Sequence, residues 1–585
     1  MEDDLPTEYD VVVVGTGMTE SIVAAAASRI GKKVLHLDSN EYYGGLWATF
    51  NFDGLQKWIE DLKASKSGGD ASVEVEAGEK FLKASNQYST VENIDETWFI
   101  PNDAELPSLS TKESQTESEA DEKEKSDDEK SEHKETTKHW TIDRIKKEYR
   151  RFNIDLAPKL LFARGELVEL LISSNIARYA EFRAVSRVAT FMDGKLTQVP
   201  CSRADVFANK TVSVVEKRML MQLLISCMEQ GAESPEFDGY RDKTFLEYLN
   251  TKSLTPMVKH YVMQAIAMAT DKTSCRDGVI RTKHFLNSLG RYGNTPFLWP
   301  MYGSGELPQC FCRLCAVFGG VYCLKRQLDG IVVSEDKCKA IISGKQRLAL
   351  EHLVVGQGHL PPEIVESPGE HKISRGIFVT DRSIMQGEKE NLTLLYYPPE
   401  ESGQEPVTLI ELGPSTNACP QGLFMVHMTC KRTSSAREDL AYVVKKFLAA
   451  NALEPNVVPY PTDVHTQTAP EKSHLQEGDD EGKDKQLDHL KPHVLWSMYL
   501  NLPASDIKLS DSAPKNVHLC SGPDLDLDFD FAVNQAKEIF KTMYPDEDFL
   551  PRAPDPEEIV LEGDETPGPK FEDVPEAEKD ADKEE

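Results

Sequence analysis

Gly15-Thr16-Gly17 follows four valines, Val11 to Val14, and opens a run of small residues, Ser21-Ile22-Val23-Ala24-Ala25-Ala26-Ala27. A Gly-x-Gly turn between a strand and a closely packed helix brings backbone N–H groups against a dinucleotide pyrophosphate. The next strand signal, Lys33-Val34-Leu35-His36-Leu37-Asp38, ends in an acid, and such folds place an acid on a ribose hydroxyl roughly 20 residues after the glycines. Glu20 stands where the third glycine belongs. A long anionic side chain there sets repulsion against a bound diphosphate. Either Glu20 points to solvent and a cofactor still binds, or the fold is used without the cofactor it was built for.

Other reactive side chains form no catalytic constellation. Cys310, Cys312 and Cys315 have a spacing that three thiolates could use to share a zinc with a fourth ligand, but thiols packed as small hydrophobes are the simpler account and no metal is expected. His489 and His493 have a helical ligand spacing, and Pro492 between them breaks the helix that spacing needs. Gly413-Pro414-Ser415 and Cys419-Pro420 read as turns.

The elements that must hold these residues are set by length and composition. A chain of 585 residues suggests more than one domain. No run approaches the roughly 20 apolar residues of a membrane span. The first residues are acidic where a signal peptide would be basic, so a cytosolic protein is expected. Eleven cysteines, an odd number, fit a reducing compartment. The net charge of −32 argues against a nucleic-acid backbone as partner and against direct adsorption on anionic lipid.

Much of that charge lies in segments too polar to offset ordering entropy. Residues 111–138 have Ala120 as their only apolar residue and read as a disordered acidic insertion; a flexible loop is expected at about 466–490 and an acidic disordered tail at 556–585. The expected architecture is α/β, an FAD-binding-like multi-sheet domain of Rossmann-type βαβ units with a smaller all-α domain inserted. Residues 1–110 form its first part, 139–200 continue it, 201–290 make the helical domain and 291–555 complete the first. Helical patterns fill Thr211 to Met228, Thr244 to Leu249, Val258 to Ala269 and Arg281 to Leu289. Asp155-Leu156-Ala157-Pro158-Lys159-Leu160-Leu161, with an N-cap candidate and an early proline, predicts a further helix. Strands resume at Gly319 to Leu324 and Gly330 to Val333. Arg291 to Leu307, rich in glycine, proline and aromatics, suits an exposed mobile loop better than a strand.

Several long blocks in one order carry a family resemblance: Gly15-Thr16-Gly17-Met18-Thr19-Glu20, Tyr42-Tyr43-Gly44-Gly45, Asn153-Ile154-Asp155-Leu156-Ala157-Pro158-Lys159, Leu289 through Phe297, and Tyr302 through Gln309. Together they resemble the family of Rab GDP-dissociation inhibitors and Rab escort proteins. The acidic insertion, the acidic tail and the cysteine-rich block from Leu307 to Gly320 resemble the escort branch. The resemblance implies a non-catalytic accessory subunit that needs no cofactor. Such a protein binds GDP-bound Rab GTPases, presents their C-terminal cysteines to the Rab geranylgeranyltransferase heterodimer, shields the geranylgeranyl groups and contacts membranes transiently. An inhibitor-like recycler and a flavin-dependent oxidoreductase are the alternatives.

By the same resemblance, Tyr43, Glu306 and Arg313 are Rab-binding positions, and two more fall on Val321 and Cys323, where this sequence departs from the inhibitors. Arg291, Tyr292, Phe297 and Tyr302 fall in the family's mobile effector loop. Leu220, Leu223, Leu224, Val262, Ile266 and Phe285 sit on the helices expected to shield lipid or face the transferase, or else form that domain's own core. Gly15, Gly17, Glu20 and Asp38 are the degenerate dinucleotide motif.

Overall fold

The computed structural model describes residues 5–64, 75–103, 140–201, 205–206, 213–229, 235–387, 392–449 and 491–552. The insertion at 111–138, the loop at 466–490 and the tail at 556–585 lie outside them. The described residues up to Pro551 form one compact unit.

Alternating and fully apolar strand sequences build two large sheets. The first has eight strands, in the order Val321–Cys323, Val34–Leu37, Glu8–Val14, Gln346–Gly356, Lys337–Ser343, Gly330–Ser334 and Glu79–Lys83, with Val517–Cys520 also pairing Gln346–Gly356. Its centre is parallel: Val11 pairs Val34, and Val12 pairs both Leu35 and Leu353. Apolar on both faces, as the four consecutive valines require, these strands need a cover. The Met18–Arg29 helix, buried along its whole length, supplies it, packed against the Glu306–Val317 and Asp530–Met543 helices.

The second sheet also has eight strands and is antiparallel except where Arg187–Met192 runs beside Thr393–Tyr397. Its edges are Lys195–Gln198 and Glu92–Trp98. Between 201 and 290 every described element is helical: Val214–Glu229, Phe245–Thr251, Pro256–Tyr261, a π-helical turn at Val262–Ile266, and Cys275–Ser288. Thr244 and Ser274 cap the helices they precede by accepting the backbone N–H groups of Glu247 and Asp277. No helix among the described residues is long and apolar enough to cross a membrane.

Two segments differ from expectation. Residues 155–161 form no helix; Ile154–Asp155 and Leu161–Phe162 are short strands separated by irregular chain. The Asp155 carboxylate that could have capped a helix instead accepts the hydroxyl of Thr49 and the N–H of Ser304, so tertiary partners outcompete the local cap. Within Arg291 to Leu307, Phe297–Pro300 is a fully buried strand between Leu161–Phe162 and Phe182–Ala184. Pairing on both sides and the Phe285 and Phe162 rings against Phe297 turn a glycine- and proline-rich stretch into core. Phe297 is therefore no loop residue. Tyr292 and Tyr302 are exposed, and Arg291 donates to the carbonyl of Ala163 and pairs with Glu169.

Candidate functional site

The dinucleotide turn keeps its backbone shape and loses its vacancy. Gly15 adopts φ +103°, which favours glycine. The Glu20 side chain does not reach solvent: it is 6% exposed and folds back over the glycines. A methyl group on Gly17 would lie 2.5 Å from Glu20 Oε2, and one on Gly356 2.5 Å from Oε1, so the carboxyl sits in the space where a diphosphate would approach bare backbone. Burial, and secondarily the Asp38 charge, push this carboxyl up to about 8. It is mostly protonated at neutral pH, and exclusion is by occupancy rather than by the charge repulsion expected from sequence.

Asp38 is equally committed. Its Oδ2 accepts the N–H and hydroxyl of Thr16 at 2.9 and 2.6 Å, and its Oδ1 accepts the N–H and side-chain amide of Asn40 at 2.8 and 2.9 Å. With both oxygens doubly engaged, no acceptor is left over for a ribose hydroxyl. The residues present do not fit a flavin dinucleotide. The remnant motif has become scaffold: the Thr16 hydroxyl also accepts the N–H of Gly44, fixing the chain that carries Tyr43.

Beside this remnant lies an open groove of about 380 Å³ lined by Tyr43, Tyr179, Glu306, Gln309, Cys310, Cys312, Arg313, Ala316 and Tyr322. The spacing of Glu306, Gln309, Arg313 and Ala316 places them along one face of the Glu306–Val317 helix, while Leu307, Phe311, Leu314 and Cys315 bury the other. The Arg313 guanidinium stacks over the Tyr179 ring at 4.6 Å. Tyr322 meets Tyr43 edge-on at 6.1 Å and its hydroxyl bonds to Nδ1 of His36. The His36 Nε2 lies 2.5 Å from the Gly15 carbonyl, which can only accept, so Nε2 carries the proton. Burial holds this ring neutral, at about 4. Glu306 has an inward oxygen, Oε2, that is buried without a hydrogen-bond partner, and burial together with the nearby Glu181 pushes its carboxyl up. An arginine on an aromatic face, an underused carboxylate and two tyrosines make a surface suited to a protein partner.

The structure brings Tyr43, Glu306 and Arg313 together. Val321 and Cys323 are next to the groove without lining it: alternation on the edge strand Val321–Cys323 gives Tyr322 to the groove and packs the other two against the opposite face of the sheet. Sequence reasoning missed Tyr322, which that alternation would have found, and Gln309, one turn from both Glu306 and Arg313. Nothing local marks Tyr179. Cys310, Cys312 and Cys315 are buried in the helix, with Cys312 against the Ser21 hydroxyl at 3.2 Å. Leu220, Leu223, Val262 and Phe285 belong to one continuous core, and Leu224 and Ile266 are half-buried against it. The one group of three potential metal ligands among the described residues is His284, Asp528 and Asp530.

The chain belongs to the GDP dissociation inhibitor family, whose model matches residues 4–97 and 131–447; a second model, described as RAE1/2 domain I, C-terminal region, matches residues 468–525. It is similar to the Rab proteins geranylgeranyltransferase component A 1 of Homo sapiens, with 39% identity covering 96% of this chain and 95% of that one, and to component A of Drosophila melanogaster, with 39% identity covering 96% and 94%. The Rab GDP-dissociation inhibitor of Saccharomyces cerevisiae is 26% identical over 72% of this chain. Among solved structures, a Rab GDI from Plasmodium falciparum shares the fold at a TM-score of 0.57 and 17% identity, covering 92% of this chain and 99% of that one.

Proposed function

We propose that the chain is an escort factor for Rab GTPases: it holds a newly made, GDP-bound Rab on the groove, presents its C-terminal cysteines to Rab geranylgeranyltransferase, and delivers the lipidated product to membranes. The observation that carries this reading is similarity along almost the whole length to proteins named as component A of that transferase. The chemistry is consistent with a presenting role rather than a catalytic one. The cofactor cradle is filled by Glu20 and Asp38 is committed to Thr16 and Asn40, so the most elaborate chemical motif in the sequence serves to hold the Tyr43 loop.

In this reading Tyr43, Glu306 and Arg313 contact the GTPase, with Tyr322 completing the groove, and Val321 and Cys323 meet the GTPase only where it wraps round the edge strand to the opposite face of the sheet. Tyr292 and Tyr302, exposed on either side of the buried Phe297 strand, reach the partner or a membrane. The helical region from 201 to 290, which shares its core with the antiparallel sheet, shields lipid and faces the transferase. A C20 isoprenoid in water costs about 25 cal/mol per Å² of exposed apolar surface, which is why a doubly prenylated tail needs a carrier. Because Leu220, Leu223, Val262 and Phe285 are already core, half-buried Leu224 and Ile266 are better placed to meet it.

The test mixes the chain with GDP-loaded, unprenylated Rab, purified transferase and labelled geranylgeranyl diphosphate. Transfer should depend on the chain. Arg313→Ala and Tyr43→Ala should each weaken Rab binding by about 1–3 kcal/mol, as expected of interface anchors, when titrated by calorimetry; unchanged affinity in a folded variant removes the groove from the interface. A second reading, an inhibitor-like recycler, is favoured by the likeness to the yeast inhibitor. It is supported if the chain extracts prenylated Rab from membranes and leaves the transferase unstimulated.

A further inference from the structure

The two sides of the groove arrive from distant parts of the sequence. Tyr43 lies just before the Thr49–Phe50 strand; Glu306 and Arg313 lie on the helix that begins immediately after Gly305. What joins them is a small junction around the buried Asp155 and Ser304, outside the groove itself. Thr49 pairs with Asp155 in a two-stranded ribbon separate from both large sheets. Asp155 Oδ1 accepts the Thr49 hydroxyl at 2.5 Å and the Ser304 N–H at 2.7 Å. The Thr49 hydroxyl oxygen in turn accepts the N–H of Gly305 at 2.8 Å, across 256 residues of chain, and the Lys159 N–H donates to Ser304 Oγ at 3.2 Å.

The junction is tight as well as bonded. Gly303 adopts φ +93°, and a methyl group there would lie 2.5 Å from Thr49 Oγ1 and 2.8 Å from Asp155 Oδ1. Gly305, which precedes the helix, makes no side-chain cap of its own. The first-turn N–H groups of a helix need partners, and here the turn entering the helix is held by side chains from the other arm. Asp155 is fully buried. Its second oxygen has no hydrogen-bond partner. A buried acceptor left so incompletely satisfied is costly; the buried Arg375 guanidinium on the Ile373–Thr380 strand offsets part of that cost, while the hydrogen bonds of the carboxyl end on the two segments that carry groove side chains.

We propose that Asp155 and Thr49 are positioning residues that set the spacing between Tyr43 and the Glu306–Arg313 face, and so tune affinity for the GTPase without touching it. The inference rests on the groove being the Rab-binding surface. Side chains that must meet one partner surface from two chain segments gain from being held before binding, since ordering them at the moment of association subtracts from affinity.

The experiment uses the full chain and a GDP-loaded, unprenylated Rab. Asp155→Asn, Thr49→Val, Thr49→Ser, Glu306→Gln and Arg313→Ala are titrated by calorimetry, and thermal midpoints are measured in parallel. Asp155→Asn and Thr49→Val should weaken Rab binding about tenfold or more, whereas Thr49→Ser, which keeps the hydroxyl, should stay within about twofold of the unaltered chain. Combining Asp155→Asn with Glu306→Gln should cost no more than the larger single loss, because both act on one contact. If Arg313→Ala and Glu306→Gln weaken binding while Asp155→Asn and Thr49→Val do not, the positioning role is overturned and the groove stands. If no groove variant changes affinity, both are overturned. Should Asp155→Asn fail to fold, Thr49→Val against Thr49→Ser decides the matter: equal losses from valine and serine overturn the proposal.

Discussion

Glu20 fills a phosphate cradle with a carboxyl that burial holds at about 8, against an ordinary value of 4.5. The folded state therefore keeps its proton more tightly than the unfolded chain over that interval, and the stabilisation this gives is present below it and lost as pH rises through about 8. Glu20→Gln keeps the shape and removes the ionisation. Its thermal midpoint should change less than that of the unaltered chain from about pH 6 to about pH 9. The two should diverge by a few kcal/mol at most, at about 1.4 kcal/mol for each tenfold difference in proton affinity between the folded and unfolded chain; parallel profiles would refute the burial argument. Glu20→Gly should yield a colourless protein, since Asp38 remains saturated by Thr16 and Asn40; a flavin absorption band in the purified variant would contradict this. The replacement itself was legible in the sequence, but not the mechanism of exclusion. A lone glutamate after Gly-x-Gly suggests a charge facing solvent or a phosphate. Only the packing of Gly356 and Cys520 around it decides that it is buried and neutral.

Periodic elements could be read and locally ambiguous ones could not. The helices between 214 and 288 follow their apolar spacing and caps. The strands at Val34–Leu37 and Gly330–Ser334 follow their β-branched and apolar runs. Asp155-Leu156-Ala157-Pro158 has every local sign of a helix start, yet partners contributed from residues 49 and 304 decide its conformation. Phe297–Pro300 fails in the opposite sense: four residues flanked by glycines look like loop until the strands on either side are known. Where helices approach closely, sequence also understates the constraint. A methyl group on Gly278 would collide with the Phe245 ring, so Gly278→Ala should destabilise the helical region by about 1–3 kcal/mol despite its better helix propensity. Chemical denaturation followed by far-ultraviolet circular dichroism checks this, and an unchanged or raised midpoint would mean that the two helices can separate at little cost.

At the scale of the whole molecule, one apolar core runs from the helical region into the antiparallel sheet: Leu223, Phe245, Val262 and Phe285 share a cluster with Phe52, Trp299, Trp496 and Leu500. Sequence suggested an inserted helical unit but could not reveal this continuity, which depends on contacts between residues hundreds of positions apart. Calorimetry should accordingly give one cooperative transition for the helical region and the antiparallel sheet. Phe285→Ala should lower that transition as a whole, by about 3–5 kcal/mol; a separate low-temperature endotherm for the helical region would show that the shared core does not couple them.

The burial of nine of the eleven cysteines leaves only Cys201 and Cys323 half-exposed. Cys323, on the sheet edge beside the groove, gives the unmodified protein a built-in footprinting site, whereas burial pushes the Cys201 thiol up to about 12 and makes it a poor nucleophile. Alkylation by a maleimide, read by peptide mass spectrometry, would report occupancy of the edge at Cys323. Because Cys323 faces away from Tyr322, its protection would reveal a partner that wraps the edge strand, and its unchanged reactivity one that stays within the groove.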